Sequence, residues 1–218
     1  MMVPGRVEWS SGRFVETSVN GPGDAAMVVL AAHGAGAGRL HPFMVGLCER
    51  LGERGLLVVR FDYPYIAEGR RAPDRLDILV AAHRAVLAAL DPQRPVILAG
   101  KSMGGRVGSH IADVGAVGLA FLGYPLVPPG GDTPRDTSHL GLLKAPMLFI
   151  QGERDRLAPL MHLRPIIGGL ADARLVVVPD ADHSFRVPKR VGVTEGEMLD
   201  LISGLVADWI ADQAPRVV

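Results

Sequence analysis

The 218-residue sequence predicts an α/β fold, in which a mostly parallel, twisted sheet begins with an antiparallel hairpin and carries helices on both faces. Short apolar runs rich in Val, Ile and Leu alternate along the chain with longer amphipathic segments, a pattern typical of parallel βαβ units. Chemically capable side chains follow several of the apolar runs. In parallel sheets such residues meet at the carboxyl ends of the strands, where ligands bind.

The predicted elements follow one another without an internal repeat. Residues 6–9 and 13–19 flank the turn Ser10-Ser11-Gly12 and predict the hairpin. Short, largely apolar runs predict buried strands at 26–32, 56–61, 96–99, 117–122, 147–151 and 175–178. Helical periodicity predicts helices at 43–54, 74–90, 104–112, 160–170 and 195–211. We expect Pro165 to break or kink the fourth of these helices.

The length suits one domain over residues 1–218, with a sizeable core. The segment 126–144 is rich in Pro and Gly and is too short to form a helical cap. We therefore predict that no cap domain is present and that little apolar wall is available to hold a long ligand.

The composition excludes several classes of partner. Lysine and arginine together number 23, as do aspartate and glutamate, and this balance argues against a nucleic-acid or anionic membrane partner. No apolar run is long enough to span a bilayer, and residues 1–9 lack a signal-peptide pattern. The single cysteine, Cys48, favours a reducing, cytoplasmic setting. We expect a small-molecule substrate and no cofactor or metal; a monomer and a homodimer remain equally open.

The most informative motif is G-x-S-x-G, formed by Gly100, Ser102 and Gly104 directly after the strand at 96–99. In a nucleophile elbow, the serine occupies a strained turn between strand and helix, and the flanking residues must be small. Gly100-Lys101-Ser102 also resembles the end of a phosphate-binding P-loop. That motif needs a glycine where this chain has Pro95, and a glycine-rich loop where it has a strand.

Three side chains are of the types that acyl transfer requires. Ser102 is the predicted nucleophile and needs an adjacent base. His183, in the polar loop after the last strand, is the predicted base, and Asp155, after the strand at 147–151, would orient the imidazole. Asp180 and Asp182 are rival acids, but they lie too near His183 in sequence to reach Nδ1. The alternative interpretations are a surface histidine and a solvated turn aspartate.

The backbone N–H groups of Ala35 and Met103 are the predicted oxyanion hole. The residues at the strand ends that we expect to contact substrate are Gly36, Asp62, Tyr63, Arg106 and Tyr124. Arg106 either binds an acidic group of the substrate or pairs within the fold. His33 is interpreted as a buttress of its loop rather than a base. A Ser–Lys mechanism through Lys101 is disfavoured, because adjacent side chains on a sharp turn diverge.

These motifs together resemble the α/β-hydrolase superfamily over nearly the whole chain. More narrowly, the chain resembles the small dienelactone-hydrolase-like group that includes the testis-expressed and NSL-complex hydrolase-like proteins. The matching stretches are HGAGAG at 33–38, HPFM at 41–44, FDYPY at 61–65, AGKSMGGR at 99–106, GYPL at 123–126, PMLFIQGERD at 146–155 and DHSF at 182–185. The order Ser, Asp, His is the one the resemblance implies for a catalytic triad. Members of the group often carry a histidine where this chain has Val127.

Two classes of function stay open at this point. The first is a serine hydrolase that cleaves a carboxylic ester, lactone or related acyl substrate through an acyl-enzyme. The second is a hydrolase-fold binding or scaffold protein with a dormant site. The presence of Ser102, Asp155 and His183 together favours the first class.

Overall fold

An eight-stranded sheet runs through the centre of the protein. The computed structural model describes residues 3–213. Its strands are β1 (Arg6–Ser10), β2 (Arg13–Asn20), β3 (Val28–Ala32), β4 (Leu57–Phe61), β5 (Val96–Lys101), β6 (Ala116–Leu122), β7 (Met147–Gly152) and β8 (Ala173–Val178). Their spatial order is β1-β2-β4-β3-β5-β6-β7-β8. The pairs β1–β2 and β2–β4 are antiparallel and the other pairs are parallel, so the predicted mostly parallel sheet with an N-terminal hairpin is confirmed.

Helices pack on both faces of this sheet. They are α1 (Pro42–Glu53), α2 (Pro64–Ala67), α3 (Leu76–Ala88), α4 (Met103–Ser109), α5 (Leu160–Gly168) and α6 (Glu195–Gln213). Alternate residues of β3 belong to two separate cores, because successive side chains of a strand point to opposite faces. Side chains of α1 and α6 fill one core, and those of α3, α4 and α5 fill the other.

Two local predictions need correction. The helix α2 was not predicted, because a four-residue helix that starts at Pro64 is too short to show periodicity. Pro165 does not break α5, which continues through it to Gly168. The carbonyl that loses its donor belongs to Met161, which is exposed and open to water.

The connection between β6 and β7 carries no cap domain within residues 3–213. Its only regular element is a short 3₁₀ helix, Ser138–Leu142. In this part of the chain, no inserted domain therefore covers the carboxyl ends of the strands. No helix in the same described range is both long and apolar enough to cross a membrane.

A buried histidine lies beneath the carboxyl ends of the strands. His83 of α3 is fully buried; its Nδ1 lies 3.1 Å from the Tyr63 hydroxyl, and its Nε2 has no hydrogen-bond partner among the described residues. Burial, with a smaller contribution from the nearby His33, lowers the pKa of His83 to about 3. The histidine is therefore neutral in the folded protein at neutral pH.

This burial predicts a loss of stability in mild acid. Because the pKa of His83 is lower in the folded state, the unfolded state binds the proton preferentially, and stability falls as pH drops below about 6.5. Between pH 7.5 and pH 5 we expect the free energy of unfolding to fall by about 2 kcal/mol on account of this residue. Urea unfolding of wild type and His83→Gln at both pH values measures it: the variant should lose less stability on acidification.

Tyr63→Phe is the matched control, since it removes the hydroxyl next to His83 but keeps the histidine. It should lower stability by the same amount at both pH values and keep the wild-type dependence on pH. If His83→Gln lost as much stability on acidification as wild type, the acid sensitivity would originate elsewhere. His139, whose pKa burial lowers to about 4, adds to the acid loss in all three proteins.

Candidate active site

Ser102 occupies a strained turn between β5 and α4. Its backbone angles are φ +50° and ψ −117°. Residues other than glycine rarely adopt this conformation, which costs about 1–3 kcal/mol. Its N–H donates to the Leu122 carbonyl over 3.0 Å. A Cβ at Gly100 would overlap the backbone nitrogen of Gly105, and one at Gly104 would overlap the Ala32 carbonyl. The two flanking glycines are thus required by the close approach of strand and helix.

Three side chains from three loops join in one hydrogen-bond chain. His183 Nε2 lies 2.8 Å from Ser102 Oγ, and His183 Nδ1 lies 2.7 Å from Asp155 Oδ2. Because an ionised carboxylate only accepts, the proton of the neutral ring is on Nδ1 and Nε2 is free to accept from the serine. The structure therefore brings together the three residues predicted to be catalytic. Their roles in a reaction remain a prediction.

Asp155 is held on both of its carboxylate oxygens. The side chain is buried, Oδ1 accepts the Leu157 N–H over 2.7 Å, and Oδ2 also accepts from Gln151 Nε2. A carboxylate with hydrogen bonds on both oxygens is fixed in orientation. Gln151 was not identified from the sequence, and its position at the end of β7, four residues before Asp155, is the signal that could have pointed to it.

The two rival acids have other partners. Asp182 Oδ1 accepts the N–H groups of Ser184 and Arg186, at 2.8 and 2.9 Å. Asp180 Oδ1 accepts from Arg190 over 2.9 Å. These carboxylates therefore shape and anchor the loop that carries His183, and neither bonds its ring.

An open cavity of about 300 Å³ lies in front of Ser102. Its walls are mainly apolar loop residues, with a few polar atoms near the serine. The lining residues are Gly34, Ala35, Ala37, His41, Phe43, Met44, Lys101, Ser102, Leu157, His183 and Ser184. Ala35, one of the two predicted oxyanion donors, is part of this wall, and Met103, the other, is the first residue of α4. Two hydrogen bonds hold the loop after β3. The Gly36 N–H donates to Tyr65 Oη, and the Ala37 N–H donates to the Gly34 carbonyl.

Four of the residues expected to contact substrate do not line the cavity. Tyr63 and Tyr124 are buried, because burial of a large ring stabilises the fold by about 1.5–3 kcal/mol. Asp62 is buried and pairs with Arg39. Arg106 donates to the Tyr124 hydroxyl over 3.2 Å and to a backbone carbonyl, so it pairs within the fold. The fifth, Gly36, lies between two lining residues.

His33 has the geometry of a buttress. It is fully buried, its Nδ1 lies 2.7 Å from the Gly34 carbonyl, and its Nε2 accepts the Tyr63 N–H over 3.1 Å. Both ring nitrogens are occupied, and burial lowers the pKa of the ring. His33 therefore links the loop after β3 to the loop after β4 and has no nitrogen left for substrate.

His41 and Phe43 are cavity residues that the sequence reasoning did not single out. His41 precedes α1, and its Nδ1 accepts the Phe43 N–H over 3.2 Å, so in the neutral ring Nε2 carries the proton. His41 thus contributes a hydrogen-bond donor to a largely apolar wall. Their position in the stretch HPFM at 41–44, shortly after HGAGAG at 33–38, is the sequence signal that could have pointed to them.

Comparisons with known proteins identify the family and the fold. Residues 25–211 match the family described as "Alpha/beta hydrolase domain". An alpha-beta serine hydrolase homologue from Coxiella burnetii shares 20% identity with a TM-score of 0.75, covering 95% of this chain and 98% of that one. Dienelactone hydrolase from Anabaena variabilis shares 21% identity with a TM-score of 0.74, covering 95% of each chain. Est1E from Butyrivibrio proteoclasticus, solved with ferulic acid, shares 16% identity with a TM-score of 0.75, covering 95% and 98%.

A curated relative is much longer than this chain. It is a protein of Mycobacterium tuberculosis described as a putative phosphoribosyl transferase, 27% identical over 189 residues. The match covers 85% of this chain but only 41% of that protein. The chain therefore spans about two fifths of the length of the relative it matches.

The hydrogen-bond chain predicts which aspartate activates Ser102. Asp155→Asn should slow the reaction of Ser102 with a fluorophosphonate by about 10⁴, because the amide favours the wrong tautomer of the histidine. Asp182→Asn is the matched comparison and should slow it far less, since the amide oxygen still accepts from the loop N–H groups. Labelling rates of the two folded variants measure the difference. A mild Asp155→Asn beside a severe Asp182→Asn would reverse the assignment.

Proposed function

The chain belongs to the alpha/beta hydrolase domain family, and from this membership we propose that it is a serine hydrolase of a carboxylic ester, lactone or related acyl substrate. The observation that carries the proposal is the unbroken hydrogen-bond chain from Asp155 through His183 to Ser102. The dienelactone hydrolase and a structure titled as a thermophilic esterase, from Thermogutta terrifontis, are among the similar structures and support the same class of substrate. The transferase description of the longer relative is not carried over to this chain.

The proposed reaction has two halves. Ser102 Oγ attacks the acyl carbon while His183 Nε2 takes its proton, and Asp155 stabilises the imidazolium that forms. The N–H groups of Ala35 and Met103 would hold the oxyanion. His183 then protonates the leaving alcohol, which leaves an acyl-enzyme. In the second half a water molecule gives a proton to His183 and attacks the acyl carbon, and Ser102 regains its proton as the acid departs.

The shape of the site supports a small-molecule substrate. Phe43, Met44 and Leu157 give the 300 Å³ cavity an apolar wall suited to a short acyl group. A second cavity of about 440 Å³ shares His41, Phe43 and Ser184 with the first and leaves space for the alcohol part. Cys48 is buried, and burial raises the pKa of its thiol to about 12, which supports a packing role for this residue.

The proposal predicts a single reactive serine. Treatment with a fluorophosphonate should add one adduct to wild type and none to Ser102→Ala, as read from the intact mass. Ser102→Ala should reduce ester turnover by about 10⁶, and adding His183→Ala should change little more, because the residues act as one unit. Ser184→Ala, next to the base but without oxyanion donors, should keep the adduct.

Two results would contradict this proposal in different ways. An adduct that survives Ser102→Ala would place the nucleophile elsewhere. A folded wild type that forms no adduct would favour the alternative function, a hydrolase-fold scaffold with a dormant site. Circular dichroism of each variant establishes that equal folded concentrations are compared.

The cavity also predicts a preference among acyl chains. With p-nitrophenyl esters from acetyl to palmitoyl, kcat/KM should be highest among the short chains. Methylene groups that extend beyond the cavity stay in water and gain none of the roughly 0.8 kcal/mol that burial of each CH₂ provides. A kcat/KM that rises steadily to palmitoyl would show that an apolar channel holds the whole chain.

A further inference from the structure

The side chain of Lys101 is hydrogen-bonded to the loop that carries His183, here called the base loop (residues 180–188). Lys101 is the last residue of β5 and directly precedes Ser102. Its Nζ donates to the backbone carbonyl of His183 over 2.7 Å and lies 5.4 Å from the centre of the Phe185 ring. Within residues 3–213 this is the only hydrogen bond to the backbone of His183. The strand that carries the nucleophile is thus tied to the residue that carries the base.

Gly123 makes room for this tie. It follows β6 with φ +70°, and a Cβ added there would lie 3.2 Å from Lys101 Nζ, 3.4 Å from His183 Nδ1 and 3.5 Å from Asp155 Oδ2. Three functional groups, one from the end of β5 and two from loops, therefore converge over one residue without a side chain. The Lys101 ammonium thus lies next to the hydrogen bond between Asp155 and the His183 ring.

We propose that Lys101 is a positioning residue, which holds the His183 ring against Ser102 by fixing the carbonyl of the same residue. This inference rests on the proposed function, because it assigns Lys101 a part in activating the same serine. Lys101 itself takes no proton from Ser102, since its ammonium points to the base loop. A charge-assisted hydrogen bond is roughly twice as strong as a neutral one, so the tie depends on the ammonium form.

The surroundings of the ammonium make the tie sensitive to alkali. Burial lowers the pKa of Lys101 to about 8, and the carboxylates of Asp155 and Asp182 partly oppose this effect. These two acids and the ring of His183 are the charged and titratable groups that face Lys101. The amine is therefore charged at neutral pH and loses its charge as pH rises through about 8, so Ser102 should become less reactive there.

The experiment compares Lys101→Met with Lys144→Met, an exposed lysine before β7 that serves as the matched control. The first readout is amide hydrogen exchange of residues 180–188, corrected for the intrinsic effect of pH, which requires no catalysis. The second is the rate of fluorophosphonate labelling between pH 6 and 10. Lys101→Met should speed exchange in this loop and slow labelling by about 10²-fold, the effect of a misplacement near 1 Å. Lys144→Met should change neither.

Lys101→Arg separates positioning from general support of the fold. Arginine keeps its charge to pH 10, so labelling of this variant should stay level above pH 8, where wild type declines. If Lys101→Met fails to fold, the wild-type loop alone provides the test, and its corrected exchange should rise above pH 8.

The outcomes distinguish this proposal from the proposed function. Unchanged loop exchange in Lys101→Met, or in wild type across pH 8 if the variant does not fold, overturns the role of Lys101 whether or not the serine reacts. If wild type is labelled and Lys101→Met is labelled at the same rate, the role of Lys101 is overturned while the proposed serine hydrolase stands. Faster exchange in Lys101→Met with no labelling of wild type supports the tie and rejects the hydrolase.

Discussion

The close approach between the end of β5 and the start of α4 is the constraint on which the site depends. Backbone atoms meet where Gly100 and Gly104 would carry side chains, and Ser102 accepts a strained backbone so that its hydroxyl faces the loops above the sheet. Only a well-packed surrounding structure holds such a conformation. The two cores on either face of the sheet supply that packing, and the reactive geometry is thus a product of the whole fold.

Three aspartates lie close to the base in sequence or in space, and backbone geometry gives each a different task. Asp155 faces the ring because the turn after β7 directs it there, with Leu157 and Gln151 saturating its oxygens. Asp182 folds back on its own loop, and Asp180 binds Arg190. The electrostatic character of the site is therefore set by turns, since residue type alone does not distinguish the three acids.

The sequence was sufficient for the order of the elements and for the meeting of Ser102, Asp155 and His183, because apolar periodicity and strand-end position are local signals. The sequence was not sufficient to predict which side chains line the cavity. Whether Tyr63 points to substrate or into the core depends on its packing against His83, which lies on a helix 20 residues away in the chain. The small helix α2 could not be predicted, because four residues are too few to show helical periodicity.

His183 lies 81 residues after Ser102 in the chain. A protein is made from its N-terminus, so a growing chain carries Ser102 through the synthesis of β6, β7 and β8 before its histidine exists. During that interval Ser102 lacks the side chain with which it is hydrogen-bonded in the folded protein. The Ser102–His183 contact therefore forms only after all eight strands of the sheet have been synthesised.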